Sequence, residues 1–179
     1  MINKNKQSGA VMAISLIMLV VLTLLGVTAM QSTTLEERMA GNLRDRNLAF
    51  QASEGALVLA ETWLSDLPNL PTDKSDGSAG IWTFNAMDSN TTNGVPWWQE
   101  PGADASWWAA NGGDGSTVIA MGSSLASQPS YIIEKLPLTV GPSMRSGSAL
   151  QSQNMLRVTA RSVGGSESAI VVLQTMYKW

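Results

Sequence analysis

The side chains here that could carry chemistry are carboxylates and hydroxyls, because the sequence holds no histidine and no cysteine. That composition removes Cys nucleophiles, Ser–His triads and the usual zinc sites together. It also leaves no disulfide, although an exported location would permit one. Carboxylate-only catalysis is the enzymatic chemistry that survives, and no recognisable catalytic spacing supports it. Asp73-Lys74-Ser75-Asp76-Gly77 and Asn111-Gly112-Gly113-Asp114-Gly115 resemble fragments of calcium loops. Neither supplies the full run of oxygen ligands with a terminal Glu, and ordinary Asx turns are the simpler reading. No catalytic residue, metal site or cofactor is therefore expected. At the junction Ser8-Gly9-Ala10 a polar leader with Lys4 and Lys6 meets an apolar run at a glycine.

The element that positions this junction is the run Ala10–Met30, which has no charge and no proline and only Ser15, Thr23 and Thr28 as polar interruptions. As a helix it would cover roughly 32 Å, enough for the core of a bilayer. No polar face is left for it as a buried soluble helix. Lys4 and Lys6 precede the run, while Glu36 and Glu37 follow it before the first base, Arg38. The positive-inside rule then keeps the leader cytoplasmic and the C-terminal bulk outside. A secretory signal peptide fits badly, because the run exceeds the usual h-region and the following chain continues as helix.

About 150 residues remain beyond the membrane run, the size of one soluble domain. The chain has 14 acidic and 11 basic side chains, and clustered bases of the kind that bind phosphate are missing, so nucleic acid is not an expected partner. From Gln31 to about Asp66 there is no proline, and Leu35, Met39, Leu43, Phe50, Leu57, Ala60 and Leu64 fit helical spacing. The helix can thus run from the membrane to residue 66, about 57 residues or roughly 85 Å. Gly26, Gly41 and Gly55 mark places where it bends, packs closely, or simply tolerates glycine. Pro68 and Pro71 end it. Residues 69–122 are rich in Gly, Ser, Asn, Asp and Trp and predict a long irregular region, with short elements around 81–84 and 117–121.

Strand patterns return at Ser130–Lys135, which Leu136–Val140 could extend, and at Asn154–Ser162. In the latter Leu156, Val158 and Ala160 alternate with Arg157, Thr159 and Arg161. A turn at Gly164-Gly165-Ser166 leads into Ala169–Tyr177, so the last two strands predict an antiparallel hairpin over 154–177. The expected fold is α+β: one long N-terminal helix on a small antiparallel sheet. Its plan is a leader at 1–9, a membrane and assembly helix at 10–30, an amphipathic continuation at 31–66 and a head at 67–179.

With these elements in place the chain resembles the PilX family of type IV minor pilins. The resemblance is carried by the leader ending at Gly9, by the apolar helix, by STTLEERMAGNLRDRNLAFQASEGAL from Ser32 to Leu57, and by the closing LRVTARSVGGSESAIVVLQTMY. It covers roughly residues 1–65 and 154–179 and is weak in the Trp-rich middle. It implies cleavage after Gly9 by prepilin peptidase, N-methylation of Ala10, and passage of the helix from the inner membrane into a pilus or its priming complex. It implies a periplasmic head before assembly and a pilus-tip location after it. Partners would be other minor pilins, the major pilin and a tip adhesin, in support of twitching and adhesion. Ile14 departs from the glutamate that pilins usually carry at the fifth mature position. Two other functions stay open: a type II secretion minor pseudopilin and a membrane-anchored glycan-binding protein.

Candidate interface residues on the helix are Ile14, Gly26, Glu36, Glu37, Arg38 and Arg44. The acids could pair with Arg44 or with another subunit, and a solvated surface is their default. Trp97, Trp98, Trp107 and Trp108, with Trp63 and Trp82, form an unusual aromatic group. They serve either as an exposed surface for a glycan or partner, or as filling between loop and sheet, and filling is the favoured reading.

Overall fold

The computed structural model describes residues 8–114, 124–137 and 154–179. Two compact units meet between Leu43 and Arg44, and helix α1, Ser8–Asp66, contributes to both.

In the first unit every residue from Gly9 to Leu43 is exposed, including Val11, Leu16, Leu22 and Leu25. The helix is long and apolar enough to cross a membrane. Its polar interruptions bond to its own backbone: Ser15 Oγ donates to Met12 O at 2.9 Å, Thr23 Oγ1 to Val20 O at 2.8 Å and Thr28 Oγ1 to Leu25 O at 2.9 Å. A hydroxyl satisfied within its own turn makes little demand on lipid, so these residues do not disqualify the span.

The second unit is built on a mixed sheet. Its strands are β1 (Trp82–Thr83), β2 (Gly113–Asp114), β3 (Ser130–Lys135), β4 (Met155–Val163) and β5 (Ile170–Lys178). The order is β1-β3-β4-β5, with β2 also on β3. The expected C-terminal hairpin forms with Met155 opposite Lys178 and Val163 opposite Ile170, and β3 is antiparallel to β4 with Glu134 opposite Arg157. The sheet is antiparallel as expected from β2 through β3 and β4 to β5, and β1 adds one parallel pairing with β3. A two-residue strand delivered by a loop need not follow hairpin direction. The short element expected at 117–121 lies outside the described residues, as do Leu138–Val140 of the proposed extension of β3. Leu136 still donates its N–H to Met155 O at 2.9 Å.

The α1 segment from Arg44 onward lies on one face of this sheet. The side chains it buries are small: Ala49, Ala52, Ser53, Ala56 and Ala60 are fully buried, and only Leu64 among the fully buried ones is large. They recur every three or four residues, which places them on one helical face. The core here joins Ala60 and Leu64 to Ile81, Ile133, Leu156 and Val158. Phe50, part of the apolar spacing that predicts the helix, is 44% exposed. Helical periodicity is therefore right, but the packing face is the alanine stripe beside the large residues. Small side chains let a helix sit close to a sheet, and polar contacts exploit that closeness. Ser53 and Ser162 hydroxyls lie 2.8 Å apart, Ser53 also donates to Val171 O at 3.1 Å, and Ser162 donates to Ala49 O.

On the opposite face a tryptophan layer covers β3. It contains a 3₁₀ turn, Trp97–Gln99, and helix α2, Ala105–Asn111. Asp104 caps α2: its Oδ1 accepts from Trp107 N at 2.8 Å and from Ser106 Oγ at 2.6 Å. The Ser106 hydroxyl and the Trp107 N–H hold the Asp104 carboxyl below the usual carboxylate range. The head thus has three layers: helix, sheet and aromatic cover.

Candidate functional site

The residues proposed for processing and assembly all lie on the surface of α1. Gly9, Ala10, Ile14, Gly26, Glu36, Glu37 and Arg38 are exposed, and so is Arg44 at the start of the second unit. A Cβ added at Gly9 or Gly26 would meet nothing within 4 Å. Neither glycine is required by a contact within the chain. Ser32 Oγ reaches Glu36 Oε1 at 3.5 Å. Among the described residues no ion pair joins Glu36 or Glu37 to Arg44; the two pairs present are Lys135–Asp73 and Arg157–Glu134.

The four candidate recognition tryptophans divide into two pairs. Trp97 and Trp108 are 2% and 1% exposed, packed with Trp82 and Ile132, whereas Trp98 and Trp107 are half-buried. Trp97 is central: its ring centroid lies 5.5 Å from Trp98 edge-on, 5.5 Å from Trp107 and 5.4 Å from Trp108. Such tilted and edge-on contacts are the arrangements aromatic rings prefer. An exposed stacking surface made of all four rings is corrected by this burial, because Trp97 and Trp108 offer no face to solvent. The reason is the sheet face beneath them, where β3 and β4 present Ile132, Glu134, Arg157 and Thr159 for covering.

A buried ion pair fastens this cover. Glu134 is fully buried and accepts from Arg157 Nε at 2.9 Å and Nη2 at 2.9 Å. Trp97 Nε1 donates to it at 3.2 Å and the Asn85 backbone N–H at 3.1 Å. Asn85 adopts φ 52°, a left-handed conformation that asparagine tolerates, and its Oδ1 accepts from Arg157 Nη2 at 3.0 Å. Phe84 and Trp98 flank the guanidinium, with ring centroids 5.2 and 5.0 Å from it. The pattern of β3 does not signal this role for Glu134. A cross-strand acid–base pair becomes visible only when register puts Arg157 opposite it.

A second polar fastening joins α1 to the hairpin turn. Asp45 accepts from Gly165 N and Ser166 Oγ, and from Ser166 N at 3.2 Å. The Ser166 hydroxyl first, then the two backbone N–H groups, hold the Asp45 carboxyl below the usual range. At Gly164 a Cβ would lie 2.5 Å from the Asp45 backbone oxygen, so glycine is needed for the close approach. The Gly-Gly-Ser sequence signals a turn, but its docking onto a residue 120 positions earlier has no local signature.

The described residues of the calcium-like fragments serve as turns and element ends, and Gly115 lies outside the described residues. Asp76 Oδ1 accepts from Ser78 N at 3.0 Å, an Asx turn, and Asp73 pairs with Lys135 at 3.4 Å. Asn111 closes α2, its Nδ2 donating to Trp107 O at 2.9 Å.

An exposed apolar helix joined to a helix-on-sheet head defines a pilin-like, membrane-anchored subunit. Two family models match: PilX N-terminal over residues 8–58, and type IV pilus assembly protein PilX C-term over residues 67–178. The chain belongs to the PilX family of type IV pilus proteins. The C-terminal model runs through the Trp-rich middle, so the family extends across a region that the sequence resemblance leaves weak. No curated protein and no solved structure matches the chain. The family places it as a minor pilin, a structural component of the pilus.

Proposed function

We propose that this minor pilin helps start type IV pili and remains at their tip, together with other minor pilins and a larger adhesin. Prepilin peptidase would cut after Gly9, and Ala10 would become the methylated terminus. The precursor would sit in the inner membrane with its head periplasmic, then enter the filament above the major pilin, supporting twitching and adhesion. Its role is structural and needs no catalytic group.

One observation carries this reading. Residues 9–43 of α1 expose their whole surface, apolar side chains included, whereas the alanine face of 44–66 is already used inside the head. Exposed apolar area of that extent requires a cover. Lipid supplies it first and neighbouring helices supply it later. Transfer from lipid to protein yields little hydrophobic gain, so close packing at Ala10, Ala13, Ser15 and Gly26 and polar contacts at Glu36, Glu37, Arg38 and Arg44 would choose partners. Ile14 supports the tip position. A subunit without a carboxylate there cannot neutralise a neighbour's terminal amine in an apolar core, where an unpaired charge is costly.

Mass spectrometry of the protein from its native membrane tests the proposal. A chain beginning at Ala10 with a methylated amine is expected. A chain still beginning at Met1 in the presence of the peptidase would make it a signal-anchored envelope protein. Deletion then separates the machines: loss of pili and twitching is expected, whereas loss of exoprotein release would indicate a type II secretion pseudopilin.

A further inference from the structure

The outer edge of β3 is covered at both ends and open between them. β2 pairs with Ser130 and Tyr131, while β1 pairs with Glu134 and Lys135. Among the described residues no strand faces Ile132 and Ile133 on that edge. A cavity of about 280 Å³ occupies the interval, walled by the rings of Trp63, Trp82 and Tyr131. It lies between the helix layer and the aromatic cover, and the Trp-layer candidates at 97, 98, 107 and 108 are not part of it.

Glycine backbone forms much of the remaining wall, and the rings press against it. A Cβ at Gly77 would lie 2.1 Å from the Trp82 ring, one at Gly80 2.9 Å from Trp63, and one at Gly113 2.5 Å from Tyr131. Gly77 and Gly80 also have φ of +67° and +81°, which side chains rarely adopt. The N–H groups of Gly77, Gly80 and Gly112 are given to Lys74 O, Gly77 O and Trp108 O, so what these glycines bring beside the three rings is carbonyl acceptors. Asn111 adds a side-chain amide.

This chemistry selects the occupant. None of the lining residues is charged, so an ionic ligand would lose its hydration without a counter-charge. The open interval spans two residues of β3, too short for an added peptide strand to gain a ladder of backbone bonds. A compact neutral molecule with a flat apolar face and a polar rim fits both the rings and the peptide groups. We propose that this slot binds one neutral pyranose ring of a glycan, stacked on the half-buried Trp63 ring, with its hydroxyls donating to Asn111 Oδ1 and the glycine carbonyls. The inference does not depend on pilus assembly.

The test is an NMR titration of indole N–H resonances in the full-length protein, held in a zwitterionic detergent without sugar headgroups. The probes are N-acetylglucosamine and methyl β-galactopyranoside, with glucuronate as the charged comparison. Saturable shifts of Trp63 and Trp82 by either neutral sugar are expected, with little movement at Trp98 and weaker binding of glucuronate. Preference for N-acetylglucosamine would point to the cell-wall glycan, and preference for the galactoside to a foreign surface. Trp63→Leu should weaken binding about tenfold, the loss of one aromatic contact, while Trp98→Leu should not. No shift at Trp63 or Trp82 up to tens of millimolar sugar would overturn the proposal, whichever variants fold. Shifts confined to Trp98 and Trp107 would overturn it equally.

Discussion

Removing Glu134 should detach the aromatic cover from the sheet. Glu134→Ala leaves the Arg157 guanidinium, whose side chain is 13% exposed, with Asn85 Oδ1 and two flanking rings but no counter-charge. It also strands the Trp97 indole N–H and the Asn85 backbone N–H. Breaking one side of a buried pair costs about 3–5 kcal/mol, a large share of the 5–15 kcal/mol typical of a whole domain. For a unit of this size, about 3–4 °C per kcal/mol gives a fall in Tm of roughly 10–20 °C. The double substitution Glu134→Leu with Arg157→Met should recover much of that loss, because an apolar pair leaves no charge uncompensated. Near-UV circular dichroism of the full-length protein in detergent follows the tryptophans, while far-UV signal follows the helix and sheet. The expected order is loss of near-UV signal in Glu134→Ala at temperatures where far-UV signal persists. A Glu134→Ala protein within about 1 kcal/mol of wild type would refute the anchoring role. So would a double variant no more stable than the sum of its single changes.

Three further outcomes follow from the same structure. Asp45 has a lowered folded pKa, so its stabilisation is complete above the ordinary carboxylate value of about 3.9 and is lost as pH falls through the folded value. Acid titration monitored by amide exchange at Gly165 and Ser166 should show the turn opening below about pH 4, and Asp45→Asn should remove that pH dependence. On α1, Ala56→Leu should destabilise the head by about 1–3 kcal/mol through overpacking. Val58→Ala, at a position 58% exposed, should change its stability by less than about 0.5 kcal/mol, and thermal melts compare the two. Ile14→Glu should let the subunit enter the pilus shaft, as seen by immunogold labelling. Wild-type protein spread along the shaft would count against the tip assignment.

Much of the architecture depends on local pattern and was legible for that reason. An uncharged run from Ala10 to Met30, unbroken helical spacing to Asp66 and prolines at 68 and 71 are properties of neighbouring residues. So is the alternation that defines β4 and the Gly-Gly-Ser turn before β5. The proposed processing junction at Gly9 and Ala10 is likewise a short linear pattern, read without a fold. Helix α2 was missed because seven residues hold less than two full turns and lie among glycines and asparagines that favour loops.

Tertiary structure decided which face and which partner. Along α1, large apolar residues advertise a core, but fit against the sheet selected Ala49, Ala52, Ala56 and Ala60. Burial of Glu134 follows from strand register, and the Asp45 clamp from the return of the hairpin to the helix. The tryptophans show the limit most clearly: composition made them conspicuous, yet Trp97 became core, while Trp63, Trp82 and Tyr131 came to wall the slot. Secondary structure responds to residues a few positions apart. Burial, charge pairing and cavity shape arise from residues tens to more than a hundred positions apart, and those distances close only in the fold.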